Sequence, residues 1–346
     1  MKNKGASSST MVRKMAAKKS IRKKLPRRND RLGVTYISKS APFVAEKISG
    51  VAGGTFKKWS TVLADCGKKN LRARSNLFIV GLYCKGPFKQ VFNDYRLLAN
   101  SFNRLIIVFS GTDLLQLRSF SSGQRMRLFK MLKLGGAKFF GVGKYAQEEA
   151  IQTIPEIAAL GMDVGVLYFP MQHALPAKLP KKPARFNVGC YMPPSAADFY
   201  GFDVIKPASL LLPDVNFHLY SLQGAGKKQY GLPKDGYKNI ICHPLKIESK
   251  DMSKFIGNMS CGLRLTKHDG NPMSLAEYNA LGRWFVYNKD MPYCDTLRDR
   301  DPKKLAIILN DIKSRKSLNT GGVSFYRNRH SLKVFLNNIQ LIYKGR

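Results

Sequence analysis

Short, unbroken apolar runs alternate with stretches of helical periodicity along most of the chain. Gly33–Ser38, Leu77–Tyr83, Leu105–Phe109, Ala137–Gly141 and Val164–Tyr168 read as strands. Helices are predicted from Thr55 to about Asp65, over Val91–Asn103 and Arg125–Leu134, and over Ala146–Leu160, where Pro155 kinks or splits the last. Residues 40–54 read as a long loop ending in Gly53-Gly54. Strands that are apolar throughout imply a parallel sheet covered on both faces. A stiff Pro- and Lys-rich linker, Pro176 to Pro183, interrupts the pattern. It then resumes with strands at Phe186–Tyr191, Phe217–Ser221, Asn239–Cys242 and around Leu263, with intervening helices that end near Leu212 and Asn258. A helix is predicted from Pro302 to about Arg315, and another near Ser331–Ile342 after a chain break at Gly321-Gly322. The reading is therefore α/β, with domains at 33–180 and 181–316 and a helical tail at 317–346.

The most informative stretch runs from Cys261 to Asn288 and reads strand, loop, helix, turn, strand. Leu263 and Leu265 alternate with polar residues, and the loop Lys267–Asn271 ends at Pro272, which suits a first helical turn. Ser274 can satisfy free amides there. Leu275, Tyr278 and Leu281 fall at helical spacing, Gly282 stops the helix, and Trp284–Tyr287 forms the next strand. A helix that opens after a Gly-containing loop presents unpaired N–H groups and a positive dipole end, which is an anion site. Asp269 precedes that site, and Glu277 follows with seven residues between the two acids. Their separation is roughly 12 Å along a helix axis. That is too far for joint action on one bond and suits a grip on opposite ends of a nucleotide sugar. The amides from Gly270 and Asn271 to Ser274 would hold the diphosphate, Glu277 the ribose and Asp269 the sugar. The alternative is an ordinary strand–loop–helix unit with one surface acid and one acid at the core edge.

Charge narrows the partners. The 346 residues carry 59 Lys plus Arg against 22 Asp plus Glu, a formal net charge of +37, with 44% hydrophobic content. A polyanionic partner follows: nucleic acid, an anionic membrane face or a phosphorylated glycan, unless the bias is general to the source. Met1 to about Leu32 forms a basic, disordered or partly helical arm, suited to holding phosphates or to serving as a localisation or solubility tail. Six cysteines without metal spacing read as buried free thiols. No apolar run reaches transmembrane length and no signal peptide is evident, so a cytoplasmic protein is expected.

The string "LRLTKHDGNPMSLAEYNALGR", with Asp269 and Glu277, resembles the acid-to-Glu motif of retaining GT-B glycosyltransferases, with Asp where that family more often has Glu. It is similar above all to the branch found in bacteriophages and other large DNA viruses. "VGCYMPPSAADFYG" looks like the opening of that branch's donor domain. The resemblance implies two Rossmann-like domains facing each other across a cleft, with the donor on the second. It further implies a Gly53-Gly54 loop facing the donor phosphates and the acceptor, an Asp113-bearing loop at a strand end, and His243 near the nucleotide base. Asp113 reads equally as a structural cap, and His173, after the last strand of the first half, as a surface residue. Arg185 precedes its strand where many bacterial relatives place a basic residue after it, which leaves the phosphate-clamping cation open; the loop amides through Pro272 and Ser274, with Arg264 or Lys267, would neutralise the leaving diphosphate in place of a metal. No Asp-x-Asp metal motif is present, and no metal or other cofactor is expected.

The implied activity is transfer of a sugar, with retention, from a nucleotide sugar such as UDP-glucose to an acceptor hydroxyl. A hydroxymethylated base in viral DNA is the acceptor that the basic arm and body suggest. The alternatives are a glycan on a lipid carrier at an anionic membrane face, and a non-catalytic nucleic-acid-binding protein of the same fold. The final helix is expected to pack back on the first domain or to form a dimer contact.

Overall fold

A computed structural model describes residues 33–67, 76–171, 175–221, 223–269 and 272–344. The predicted arm over Met1–Leu32, together with His173, Gly270 and Asn271, lies outside the described residues. Among the described residues twelve strands form two six-stranded sheets, and every pairing in them is parallel. The first sheet comprises β1 (Val34–Ile37), β2 (Thr55–Phe56), β3 (Asn76–Val80), β4 (Arg104–Phe109), β5 (Lys138–Gly141) and β6 (Val164–Val166), in the order β2-β1-β3-β4-β5-β6. The second comprises β7 (Asn187–Tyr191), β8 (Asn216–Tyr220), β9 (Ile240–Cys242), β10 (Cys261–Arg264), β11 (Trp284–Tyr287) and β12 (Asp295–Thr296), in the order β12-β11-β10-β7-β8-β9. Read from β9, the second order is that of a dinucleotide-binding doubly wound sheet.

The unbroken apolar strands supply both faces of each sheet. Leu77 and Ile79 of β3 enter one core with Leu105 and Ile107, while Phe78 and Val80 enter the opposite core with Ile106 and Val108. The first core is closed by α2 (Trp59–Gly67), α3 (Phe88–Ser101), α4 (Thr112–Leu117), α5 (Ser122–Leu134) and α7 (Pro155–Ala159), through Trp59, Tyr95, Leu114, Phe129 and Ile157. The opposite core is closed by α1 (Pro42–Ala52), α6 (Lys144–Thr153) and α13 (Leu332–Lys344). As expected for the final helix, α13 packs back on the first sheet through Phe335, Ile339 and Tyr343, and Arg104 donates to the Ile342 carbonyl at 3.1 Å. The second sheet is covered by α8 (Phe202–Leu211) and α11 (Pro302–Ser314) on one face, and by α9 (Ser249–Gly257), α10 (Met273–Ala280) and α12 (Thr320–Arg329) on the other. Both sheets belong to one compact unit, Leu32–Arg346. The linker is clamped by the buried Arg283, which donates to the carbonyls of Pro180, Lys181 and Gly257 at 3.1, 2.9 and 2.6 Å.

Three sequence expectations are corrected. Residues 40–54 are mostly helix: Pro42 opens α1, and the small inward residues Ala45 and Ser49 with Ile48 leave too little apolar periodicity to betray it. Thr55 begins a two-residue edge strand, and the following helix starts at Trp59. Gly321-Gly322 does not break the chain; it lies in the first turn of α12, where a Cβ on Gly322 would meet Asn279 Oδ1 at 2.5 Å. All six cysteines are free thiols.

Two histidines make the fold sensitive to acid. His330 is buried where α12 ends; its Nδ1 bonds the Phe169 carbonyl at 2.7 Å, and its own carbonyl accepts from the Met171 amide. Burial lowers its pKa to about 4, against the Phe169 bond. Burial, and then the adjacent His243, lower that of His218 to about 4. Both are neutral in the folded chain where the unfolded chain already binds protons, so their contribution is intact above about pH 6.5 and is lost as pH falls toward 4. Each loses up to about 3 kcal/mol across that window. Thermal melts should show a falling midpoint from pH 7 to 4, and His330→Gln should flatten the fall. An identical pH profile in the variant would contradict the assignment.

Candidate functional site

In an open parallel sheet, ligands bind beyond the carboxyl ends of strands where the strand order reverses direction. Here those points lie between β1 and β3 in the first sheet and between β7 and β10 in the second. One cavity of about 310 Å³ joins them. Its walls include Ala41, Phe43 and Val80 from the first half, and Tyr191, Arg264, Asp269 and Glu277 from the second.

The second half is shaped by two strand glycines. A Cβ on Gly189 of β7 would fall 1.9 Å from the Tyr278 hydroxyl, and one on Gly262 of β10 would fall 2.5 Å from Phe285 Cδ2 and 2.7 Å from Tyr278 Cδ1. Only glycine lets Tyr278 lie flat on the sheet, so α10 sits close above it with Leu275 and Leu281 also fully buried. Burying that side turns Met273, Ser274 and Glu277 toward the cavity. The helix begins after Pro272 without a capping side chain. Ser274, expected to help cap it, has a buried hydroxyl with no hydrogen-bond partner among the described residues, and Ser221, also in the cavity wall, is in the same state. Buried hydroxyls are rarely left unpaired, so two of them facing one cavity mark a place for polar ligand atoms.

Beside that helix start, Arg264 at the end of β10 donates to Asp269 Oδ2 from Nε at 2.6 Å and from a terminal nitrogen at 2.5 Å. The guanidinium lies 4.9 Å from the Tyr200 ring centre and 5.5 Å from that of Tyr191. Burial works against its charge, yet Asp269 and the neighbouring tyrosines hold its pKa above the ordinary value. Burial, and then the Glu277 carboxylate, likewise push the Tyr220 hydroxyl upward, so it stays protonated. The Asp269 carbonyl accepts from Lys289 Nζ at 2.9 Å, and that ammonium stands 3.5 Å from the Tyr145 ring centre on α6. Lys289 thereby ties the acid loop to the first half.

The structure sorts the remaining candidates. Pro272, Ser274 and Glu277 line the cavity with Arg264 and Asp269. Lys267 is exposed and outside it; its amide donates to the Phe199 carbonyl at 2.9 Å, so it serves the loop's backbone. Gly53 and Gly54 follow α1 instead of preceding a helix. Gly53 ends α1 with φ 78°, and a Cβ on Gly54 would meet Tyr36 at 2.2 Å. They therefore stand at the amino end of β2, opposite the cavity, and their ligand-facing reading is corrected. What faces the cavity instead is the start of α1.

Asp113 is fully buried, and its carboxylate accepts from the amides of Leu82, Ser110 and Gly111 at 2.8, 3.0 and 2.8 Å. Burial raises its pKa against those bonds, and its structural reading stands in place of the ligand-facing one. His243 Nε2 lies 3.1 Å from His218 Nδ1, and its ring packs edge-on against Phe255, so it braces the strand end; Lys246 and Ile247 reach the cavity in its place. Among the described residues no group of three His, Cys, Asp or Glu comes together as a metal site.

Sequence reasoning missed one link. His268 Nε2 lies 2.6 Å from Glu149 Oε1 of α6, 119 positions away, with both side chains largely buried. No local pattern signals a pair so distant. It fixes the loop bearing Asp269 against the first half. Glu149→Ala strands the buried imidazole and should cost about 1–3 kcal/mol in denaturant unfolding, with Glu149→Gln losing less. Equal stability of the alanine variant and the wild type would contradict this role.

No protein-family model matches the chain, and no curated protein does. Solved structures do. Sucrose-phosphate synthase from Thermosynechococcus elongatus matches with a TM-score of 0.56 and 8% identity, over 90% of this chain and 98% of that one. A structure of the GtfA/B complex gives 0.55 and 13%, over 83% and 60%. The pneumococcal O-GlcNAc transferase GtfA in complex with UDP and GlcNAc gives 0.52 and 12%, over 82% and 59%. The chain thus spans about three fifths of the length of each of these last two matched chains. At these identities the likeness is one of fold. Two parallel six-stranded sheets, each layered by helices, place this chain in the GT-B glycosyltransferase fold class.

Proposed function

We propose that the cavity holds a nucleotide-diphosphate sugar and that the protein transfers the sugar to an acceptor hydroxyl. The observation that carries this reading is the convergence, in one cavity, of the uncapped start of α10, the unpartnered Ser274 hydroxyl, the Arg264–Asp269 pair and Glu277. The helix start with Arg264 binds the diphosphate, Glu277 binds the ribose hydroxyls, and Asp269 orients the hexose. In the transfer, the bond between the anomeric carbon and the phosphate oxygen breaks, and Arg264 with the helix amides takes up the charge left on the diphosphate. The acceptor oxygen bonds to the anomeric carbon on the face the phosphate leaves, giving retention. Its proton passes to the departing phosphate oxygen, so no side chain need act as general base.

The acceptor we infer is a hydroxymethylated base in DNA, in keeping with the formal charge of +37 and the resemblance to the viral branch. A base in duplex must be extruded to reach such a cleft. The second reading, a glycan on a lipid carrier, draws on the same charge; no helix among the described residues is long and apolar enough to cross a membrane, so contact would be peripheral. The test is incubation with labelled UDP- and GDP-sugars and three acceptors: hydroxymethylated DNA, unmodified DNA and lipid carrier. Label on hydroxymethylated DNA supports the first reading, and label only in lipid overturns it.

The two acids should separate by role. Glu277→Ala should weaken nucleotide binding by roughly 10- to 100-fold, the worth of a hydrogen bond to a charged group. Asp269→Asn keeps the shape beside Arg264 and should lower turnover on the order of 10²-fold, with nucleoside diphosphate affinity little changed. Asparagine is the informative replacement, since alanine would leave a largely buried guanidinium unpaired. Calorimetry with the nucleotide and initial rates with the sugar donor check both. Unchanged affinity removes Glu277 from the site, and wild-type turnover makes Asp269 structural.

A further inference from the structure

We propose that the carboxyl-end rim of β2, β1 and β3 is a phosphodiester-binding ledge that presents a nucleic-acid acceptor to the cavity. This rests on the reading of the cavity as a sugar-transfer site. The parallel register sets Thr35 and Tyr36 beside Thr55 and Phe56, and Tyr36 and Ile37 beside Phe78 and Ile79. The residues leaving these strands therefore emerge on one rim: Lys57 and Lys58 after β2, Lys39 after β1, and Tyr83 and Lys85 after β3. Ala41 and Val80, which line the cavity, stand two residues beyond Lys39 and three before Tyr83.

The rim is built to keep its cations outward. Leu82 and Cys84 are buried, their amides donating to Asp113 at 2.8 Å and to Gln116 at 3.0 Å. The alternation leaves Tyr83 partly exposed and Lys85 exposed. Lys39 Nζ sits 4.4 Å from the Tyr83 ring centre, close enough for a cation–π contact that limits its wandering. Asp65, on the helix that follows, is paired with Lys57 at 3.0 Å. Lys39, Lys58 and Lys85 are exposed, and none has an ion-pair partner among the described residues. Asp113 thus acquires a use that its buried position denied it as a ligand group: it holds the segment that displays Tyr83 and Lys85.

The occupant is a nucleic acid and not a bilayer. A membrane-docking face carries apolar side chains to insert. Here the exposed Phe43 belongs to the cavity wall, and the segments that leave β1, β2 and β3 offer Lys39, Lys58, Lys85 and the Tyr83 ring. Spaced cations with an aromatic among them suit a phosphodiester strand whose bases can stack.

The experiment uses the full chain. DNA affinity is measured from 50 to 300 mM salt for wild type, for Lys39→Gln/Lys58→Gln/Lys85→Gln, and for a control that removes three exposed lysines elsewhere, Lys130→Gln/Lys138→Gln/Lys303→Gln. With a duplex probe, each lost phosphate contact makes the log–log salt slope shallower by roughly 0.9. The ledge variant should lose about two to three units of slope, the control less than one, and donor hydrolysis should be unchanged in both. Equal changes in the two variants would mean that only bulk charge matters and would overturn the ledge, as would absence of DNA binding by the wild type at low salt. Phosphatidylserine vesicles are titrated in parallel; loss of vesicle binding with DNA binding intact would assign the rim to a membrane and overturn the proposal. Wild-type chain that hydrolyses no donor but shows the ledge-specific slope would sink the transfer reading and leave the ledge standing.

Discussion

The close approach of Tyr278 to Gly189 and Gly262 is the constraint on which the site depends. Any side chain at either glycine would drive α10 off the second sheet, because the Cβ would fall within 2.7 Å of the tyrosine ring or its hydroxyl. Protein cores are close-packed and transmit such a shift instead of absorbing it. With the helix seated, Leu275, Tyr278 and Leu281 are fully buried, and the face carrying Ser274 and Glu277 can point only at the cavity. Helix position, and through it the spacing between anion site and distal acid, is thus set by two missing methyl groups.

Charge at the cavity is organised around that helix. Arg264 and Asp269 neutralise each other beside its start, the guanidinium packed against the rings of Tyr191 and Tyr200. An ion pair this buried gains little net stability, since desolvation of both partners offsets their attraction. Its consequence is geometric: a cation and an acid are fixed at one end of the cavity before any ligand arrives. Glu149–His268 and Lys289 over Tyr145 then fasten the same loop to α6, so both halves of the chain set the position of Asp269. Preorganisation of this kind lowers the cost of ordering polar groups around a bound anion.

Much of this was legible in the sequence because it is local. The apolar runs named the central strands nearly to the residue, and Trp284–Tyr287 coincides with β11. Pro272, Gly282 and the spacing between them marked α10. The helix α1 was hidden because its buried side is made of Ala45, Ile48 and Ser49, and Gly50, Gly53 and Gly54 imitate loop punctuation. Pro42 with Val44, Ala45 and Ile48 at helical spacing was the signal available. Asp113 misled for a similar reason: an acid after a strand reads alike whether it faces a ligand or collects backbone amides, and only burial separates the two. The unpartnered Ser221, the Glu149–His268 pair and the convergence of Lys58, Lys39 and Lys85 depend on strand order, which a linear pattern does not carry.

The central claim is that α10 and its flanking groups form a nucleotide-diphosphate site. A structure of the full chain with bound UDP tests it most directly, with GDP as the second ligand. The account predicts the diphosphate at the start of α10 within hydrogen-bond distance of the Ser274 hydroxyl, and the ribose hydroxyls on the Glu277 carboxylate. A nucleotide seated elsewhere, such as in the hollow of about 550 Å³ lined by Asp198, Lys206 and Gln229, with Ser274 and Glu277 untouched, would contradict it.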